Sequence, residues 1–148
     1  MPGRRRAREY ALQALYAVDL SGKSASAALN AVWASGIDSK DAPPTEEEIE
    51  FAGRLVHGVE ASMESLDAAI EKASVNWRLG RMPVVDRNIL RIGAWELGNR
   101  KDIPVSVSIN EAIELAKRFG GAESRAFVNG ILDRIAAEVG RGGRKGRG

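Results

Sequence analysis

The amino-acid sequence predicts an all-α protein of about seven helices. Apolar residues recur at helical spacing along nearly the whole chain, whereas the strict alternation typical of strands is almost absent. Hydroxyl residues followed three positions later by glutamate mark helix starts, and paired glycines mark helix ends. A chain of 148 residues is also long enough to bury a hydrophobic core as one domain.

The first helix is predicted over about residues 4–20. Its apolar stripe consists of alanines followed by Leu15 and Val18, and the Ser21-Gly22 pair ends it. A short second helix follows and carries Trp33.

A loop from Gly36 to Pro44 is predicted before the third helical segment. Thr45 and Glu48 have the spacing of a capping box, in which each residue satisfies a backbone N–H of the other. The segment that they open is either one helix or two, with a break somewhere after Gly58.

The second half of the chain begins after a linker-like stretch from Ser74 to Pro83. Ser108 and Glu111 form another predicted capping box, and Gly120-Gly121 ends the helix that it opens. Helices are thus predicted over about 84–99, 108–119 and 124–139. The expected organisation is a single domain over 1–140, with sub-bundles of about 4–73 and 84–139, followed by a flexible basic Gly/Arg tail over 141–148.

Charge is distributed unevenly along the chain. Residues 1–10 carry four arginines and one glutamate, and residues 141–148 carry four basic residues and no acidic one. Residues 11–140 hold 14 basic and 19 acidic residues, so basic ends flank an acidic body. This pattern favours contact with a polyanion such as nucleic acid at the ends, although short basic ends also occur as solvated tails.

Residues for the common catalytic and metal sites are scarce. The chain has no cysteine and one histidine, His57, which leaves thiolate nucleophiles, zinc sites and Ser-His-Asp relays unsupported. No glycine-rich stretch follows a strand and opens a helix, as a phosphate cradle would. We therefore expect no enzyme activity, no cofactor and no metal. Since no apolar run approaches roughly 18 residues, we also expect a cytoplasmic protein without membrane association.

Tyr16 lies on the polar side of the first helix in a helical projection. It falls beside Arg5, Glu9 and Gln13, away from the apolar stripe. A ring beside guanidinium groups suits single-stranded RNA, because arginines hold phosphates and an aromatic face stacks an unpaired base. Packing of Tyr16 against the second helix is an equal alternative, while Tyr10 is predicted to lie in the core.

The helix after the linker projects with an aromatic on its polar side. Trp95 falls near Asn88 and Arg91, opposite the apolar face, as a protein-interface anchor would. Asp86 lies in the first turn and suits either compensation of the helix dipole or contact with a partner. Glu96 points into the apolar face, where an acid requires a partner.

Several sequence blocks together resemble the NusB family. In chain order they are RRRARE at 4–9, ALQALY at 11–16, VDR and ILRI within 85–92, EL at 96–97, INEAIELAK at 109–117 and FVNG at 127–130. Each block alone is weakly specific, but their order and spacing cover nearly the whole chain.

The resemblance implies two small helical bundles packed as one domain. It also implies a transcription antitermination factor that binds the boxA element of nascent ribosomal RNA leaders together with NusE, a ribosomal protein of the small subunit, in the RNA polymerase antitermination complex. Carried over by position, the RNA surface comprises Arg4, Arg5, Arg6, Arg8, Tyr16, Arg125 and Phe127. The NusE surface comprises Asp86, Asn88, Arg91 and Trp95.

Two alternatives belong to other functional classes. The first is an RNA-binding appendage of the kind found fused to ribosomal RNA methyltransferases, although this chain has neither a βαβ region nor a cysteine nucleophile. The second is a protein-protein adaptor whose exposed aromatics serve protein contacts and whose basic start is only solvated. A homodimer is compatible with the sequence as well.

Overall fold

The computed structural model describes residues 2–35, 42–75 and 77–140. This part of the chain contains seven α-helices and no strand, which confirms the all-α prediction. The helices are α1 (Pro2–Ser21), α2 (Ala25–Ser35), α3 (Glu46–Ala61), α4 (Met63–Ala73), α5 (Val84–Asn99), α6 (Val105–Phe119) and α7 (Ser124–Glu138), with a 3-10 turn at Leu79–Arg81. The predicted tail over 141–148 and residues 36–41 of the predicted loop lie outside the described residues.

The helices group into two compact units, Met1–Ala61 and Ser62–Gly148. In the first unit α1 packs against α2 and α3, and α2 packs against α3. In the second unit α5 packs against α4, α6 and α7, and α6 packs against α7. Because α4 contacts α5 and α7, it belongs with the second unit, whereas the predicted sub-bundle over about 4–73 would include it in the first.

Small residues bring α1 close to its neighbours in the first unit. Ala7, Ala11 and Ala14 are fully buried, and Leu15 completes the stripe that the sequence predicts. A side chain no larger than a methyl group allows a neighbouring helix to approach closely, and α3 presents the buried Phe51 in the same core. This packing fixes which side of α1 remains available to solvent.

Helix α5 is the central helix of the second unit. Ten of its 16 residues are buried, since other helices contact it on several sides. A Cβ atom on Gly93 would lie 2.6 Å from Cδ1 of the fully buried Leu132, so glycine lets α7 pack directly on α5. Four polar residues of α5 are buried in this packing, namely Asp86, Asn88, Arg91 and Glu96.

The capping box at the start of α3 is confirmed. The Thr45 backbone N–H donates to Glu48 Oε1 at 2.9 Å, and the Glu48 N–H donates to Thr45 Oγ1 at 3.1 Å. The break after Gly58 is also found, since α3 ends at Ala61 and α4 begins at Met63.

The predicted capping box of Ser108 and Glu111 is wrong. Helix α6 begins at Val105, with Pro104 as its N-cap residue. Proline has no N–H to leave unpaired, and its fixed φ suits entry into a helix. Ser108 is buried one turn further on and donates its hydroxyl to Glu96 Oε1 at 2.9 Å.

No helix within the described ranges combines the length and the apolar character that crossing a membrane requires.

Candidate nucleic-acid interface

The predicted basic start of the chain forms the first turns of α1. Arg4 and Arg8 place their guanidinium groups over the Phe51 ring of α3, with Cζ 5.0 and 5.2 Å from the ring centroid. Such cation–π contacts are worth about 0.5–2 kcal/mol each. Arg8 is only 3% exposed, so its burial contradicts the expectation of four arginines that all face a phosphate backbone.

Arg6 connects α1 to the start of α3. Its guanidinium lies 3.7 Å from Glu48 Oε1, the acid of the capping box, and also donates to the Ala42 carbonyl. A third contact, at 2.5 Å, is donated to the Tyr10 hydroxyl. Arg6 is half-buried and bonds to the chain that leads into α3. It therefore stabilises the packing of α1 against this segment, besides any contact with an anion.

Arg5 and Tyr16 lie on the outer side of α1. Both side chains are exposed, Tyr16 by 42%. They are about three helical turns apart, so at about 100° per residue they share one face. Tyr10 is instead buried, as predicted, and meets Trp33 edge to face with ring centroids 5.1 Å apart. Of the two alternatives for Tyr16, its exposure favours a ring that is open to a ligand.

Phe127 lies in the first turn of α7, in the second unit. Its half-buried ring meets Trp77 edge to face, with centroids 6.1 Å apart and planes at 75°. The two rings and Pro83 line a cavity of about 360 Å³. Arg125, also predicted for the RNA surface, is exposed two residues before Phe127.

Trp77 was not identified by the analysis of the sequence. It lies between α4 and α5, in the stretch described as a linker, where helical periodicity gives no information. The sequence signal that could have identified Trp77 is an aromatic residue in an irregular segment, because binding residues are concentrated on such segments. Trp77 is 49% exposed.

Asp86 lines the same cavity and is 5% exposed, so little of its carboxylate is available to a partner. Its Oδ1 accepts a 2.7 Å hydrogen bond from Ser124 Oγ, and Ser124 Oγ accepts a 2.9 Å bond from the Gly121 N–H. The structure thus brings together Asp86, which was predicted for the partner surface, and Phe127, which was predicted for the RNA surface.

Asn88 and Arg91 are also buried, which contradicts the predicted exposed face of α5. Arg91 donates from Nε and Nη2 to the Asp67 carboxylate of α4, at 2.8 and 3.0 Å. Its Nη1 donates to Asn88 Oδ1 at 2.9 Å. The prediction failed because α4 covers this polar side of α5, and a projection of one helix contains no information about its neighbours.

Trp95 and Glu96 differ in their surroundings although they are adjacent. Trp95 is half-buried, less open than predicted, and Glu96 is 1% exposed with Ser108 as a hydrogen-bond donor. The pKa of the Arg100 guanidinium is raised by its hydrogen bond to Asp102, and the charges of Asp102 and Glu96 raise this pKa further. Arg100 is therefore a basic neighbour of Glu96.

Metal-ligating side chains are not clustered in the described ranges. No group of three or more His, Asp or Glu residues there could hold a metal ion. His57 is exposed on α3.

Comparison with known proteins gives matches over nearly the full length. The model of the NusB family matches residues 5–137. The transcription antitermination protein NusB of Sorangium cellulosum is 49% identical over 95% of this chain and 96% of its own length. The corresponding protein of Bacillus subtilis is 46% identical over 92% of this chain and 96% of its own length.

Solved structures match the fold as well. NusB of T. maritima has a TM-score of 0.80 and 38% identity, and the match covers 91% of each chain. A crystal structure of the antitermination factors NusB and NusE in complex with dsRNA contains a chain with a TM-score of 0.80 and 28% identity. That match covers 93% of this chain and 98% of the other.

Proposed function

The chain belongs to the NusB family, and we propose that it binds the boxA element of nascent ribosomal RNA leaders together with NusE. It is an RNA-binding transcription antitermination factor whose partners are RNA, NusE and the RNA polymerase antitermination complex. Its contribution is to favour processive transcription through terminators.

The observation that carries this proposal is the match of fold and sequence to a NusB that was solved with NusE and dsRNA. The match covers 93% of this chain and 98% of the other. The exposed arginine and tyrosine on α1 add a chemical reason, since phosphate contacts and base stacking are the usual means of binding single-stranded RNA.

We assign the RNA contacts within each unit separately. In the first unit, Arg5 and Tyr16 offer a cation and a ring on one face of α1, with the half-buried Arg4 and Arg6 beside them in the sequence. In the second unit, Arg125 and Phe127 offer the same combination at the start of α7. Arg8 lies over the Phe51 ring of α3 and stabilises the part of α1 that carries Arg5.

We assign the contact with NusE to the side of α5 that carries Trp95. This ring is half-buried, so part of it remains available to a protein partner. Asn88 and Arg91 are buried and contribute by fixing α5 to α4 through Asp67. Interface anchors of this kind are rigid aromatic side chains supported by packed neighbours.

Titrations of boxA-type single-stranded RNA and of NusE test the proposal. We expect the wild-type protein to shift the RNA in a gel, and NusE to strengthen that binding. By linkage, RNA should strengthen the binding of NusE by the same factor. Trp95→Ala should weaken NusE binding and abolish the cooperative gain while binding of RNA alone persists. Lys101→Ala, an exposed position shortly after α5, is the matched control.

Two outcomes would contradict the proposal. If boxA RNA is not shifted with or without NusE, although NusE binds, the protein acts as an adaptor. If neither ligand binds, both assignments fail.

We further propose that the protein is cytoplasmic and catalyses no reaction, so a methyltransferase assay on ribosomal RNA should give no product. Sedimentation at several protein concentrations determines whether a homodimer forms.

A further inference from the structure

The start of α1 is electrostatically unfavourable for a helix. Arg4, Arg5 and Arg6 follow one another near its N-terminus, and the first turn contains no acidic residue. The free N–H groups of a helix N-terminus give it a partial positive charge, so basic side chains there promote fraying and acidic ones oppose it. Contacts with another part of the molecule therefore have to stabilise this end of α1.

Helix α3 supplies a negative charge at the start of α1. Glu48 Oε1 lies 3.7 Å from Arg6 Nη1, and the side chain of Glu48 is 6% exposed against 26% for that of Arg6. Glu46 and Glu47, in the same turn of α3, are exposed. Because Glu48 is shielded from water, salt screens its charge less than that of a surface acid. Of these three acids, Glu48 is the buried one, and it contacts α1.

Arg6 is fixed by two further acceptors. Its guanidinium donates to the Ala42 carbonyl and, at 2.5 Å, to the Tyr10 hydroxyl. Tyr10 lies one turn further along α1 and is buried. A guanidinium presents its donors in a rigid fork, so several acceptors together determine its direction. Arg6 thus joins the start of α1 both to α3 and to the core of the first unit.

Arg5 is exposed on the face of α1 that also carries Tyr16. About three helical turns separate the two residues, which corresponds to about 16 Å along the helix axis. This spacing exists only while the first turns of α1 are helical. A strand that binds a charge and a ring held at a fixed distance gains affinity, because no ordering of the protein has to accompany binding.

We propose that Glu48 is a positioning residue for RNA binding, because its charge fixes Arg6, keeps the start of α1 helical and so holds Arg5 at a constant distance from Tyr16. Glu48 acts through Arg6 and does not itself contact the RNA. An acid near a polyanion opposes binding, so loss of a negative charge should by itself strengthen it. The positioning role predicts the opposite sign for Glu48. This inference rests on the proposed RNA-binding function.

Glu48→Gln is the variant that tests this role. Glutamine has the same size and can still accept the Thr45 N–H, as it does in other capping boxes, but it lacks the charge that faces Arg6. In equilibrium titrations at constant salt, we expect the binding of a short boxA-type single strand to weaken about threefold to fivefold. Binding that is equal to that of wild-type protein, or tighter, overturns the proposal.

Two matched controls separate this role from general charge and from the stability of α3. Glu47→Gln removes the charge of an exposed neighbour and should not weaken RNA binding. Thr45→Val removes the hydroxyl that accepts the Glu48 N–H at 3.1 Å but keeps the Glu48 charge. It should lower the melting temperature and change RNA affinity by less than about twofold. If either control weakens binding as much as Glu48→Gln does, the proposal is overturned.

A double-mutant cycle tests whether Glu48 acts through the placement of Arg5. In an Arg5→Ala background the guanidinium that is to be placed is missing. Glu48→Gln should therefore weaken binding by less than about twofold in that background. An equal loss in both backgrounds would show that Glu48 acts by another route, and the proposal would be overturned.

Limited trypsin digestion of the free protein tests the same role without RNA. Trypsin cleaves after arginine and requires a locally unfolded chain, so its rate at the start of α1 follows the population of the frayed state. Glu48→Gln should raise the rate of cleavage after Arg5 and Arg6 severalfold, measured by mass spectrometry, and Glu47→Gln should not. Unchanged cleavage of Glu48→Gln overturns the positioning role alone, whereas wild-type protein that binds no RNA overturns the proposed function.

Discussion

The Ser124 hydroxyl donates a 2.7 Å hydrogen bond to the Asp86 carboxylate and thereby joins the first turn of α7 to the first turn of α5. Both residues are buried, and no other described side chain satisfies Asp86. Phe127, in the same turn of α7, contacts Trp77 edge to face.

Ser124→Ala should lower the free energy of unfolding by about 1–3 kcal/mol, because it leaves a buried carboxylate without its donor. Urea denaturation followed by circular dichroism measures this. Ser65→Ala is the control, since Ser65 is exposed and donates to the Ser62 carbonyl of its own turn. Equal stability of the two variants would show that the hydrogen bond to Asp86 contributes nothing.

Gly120 and Gly121 should respond differently to alanine. A Cβ on Gly120 would lie 2.6 Å from Ser124 Oγ and 2.8 Å from the Ala116 carbonyl oxygen, whereas a Cβ on Gly121 would meet nothing within 4 Å. Gly120→Ala should therefore cost about 1–3 kcal/mol of stability through crowding. Gly121→Ala should change it by less than about 1 kcal/mol. Thermal unfolding of both variants decides this, and similar melting temperatures would contradict it.

Substitution of Arg5 should affect RNA binding, whereas substitution of Arg8 should affect stability. Arg5→Ala removes an exposed charge and should flatten the dependence of log affinity on log salt by about 0.7, the value for one phosphate on a single strand. Arg8→Ala should instead lower the free energy of unfolding by about 0.5–2 kcal/mol, since its buried guanidinium lies over Phe51. RNA titrations at several salt concentrations, together with urea denaturation, test both. Arg8→Ala with full stability and a flatter slope would reverse the assignment.

Tyr16→Ala should weaken the binding of single-stranded RNA by about 1–3 kcal/mol, because an exposed ring that stacks a base is removed. The salt dependence should not change, since no charge is lost. Leu20→Ala, one turn further along α1 and 58% exposed, controls for loss of apolar surface. A large loss of thermal stability with unchanged RNA affinity would identify Tyr16 as a packing residue.

Local sequence signals predicted most of the helical architecture. The stripe of Ala7, Ala11 and Ala14, the capping box of Thr45 and Glu48 and the bounds of α5 were all identified, because each depends on residues within a few helical turns. The capping box predicted at Ser108 does not form, although the spacing of Ser108 and Glu111 fits one. Pro104 begins the helix earlier, and the Ser108 hydroxyl donates to Glu96 instead.

The sequence by itself determined the helical class, the family and the polar face of α1 with Tyr16, because periodicity and motif order are properties of the chain alone. Only the tertiary structure decided which polar residues of α5 are buried and which residues they bond to. Their neighbours come from distant parts of the chain: Asp67 for Arg91, and Ser124 for Asp86. It also decided that Trp77 and Phe127, 50 positions apart in the sequence, form one aromatic wall. Burial and pairing depend on which helices pack together, and a helical projection cannot contain that information.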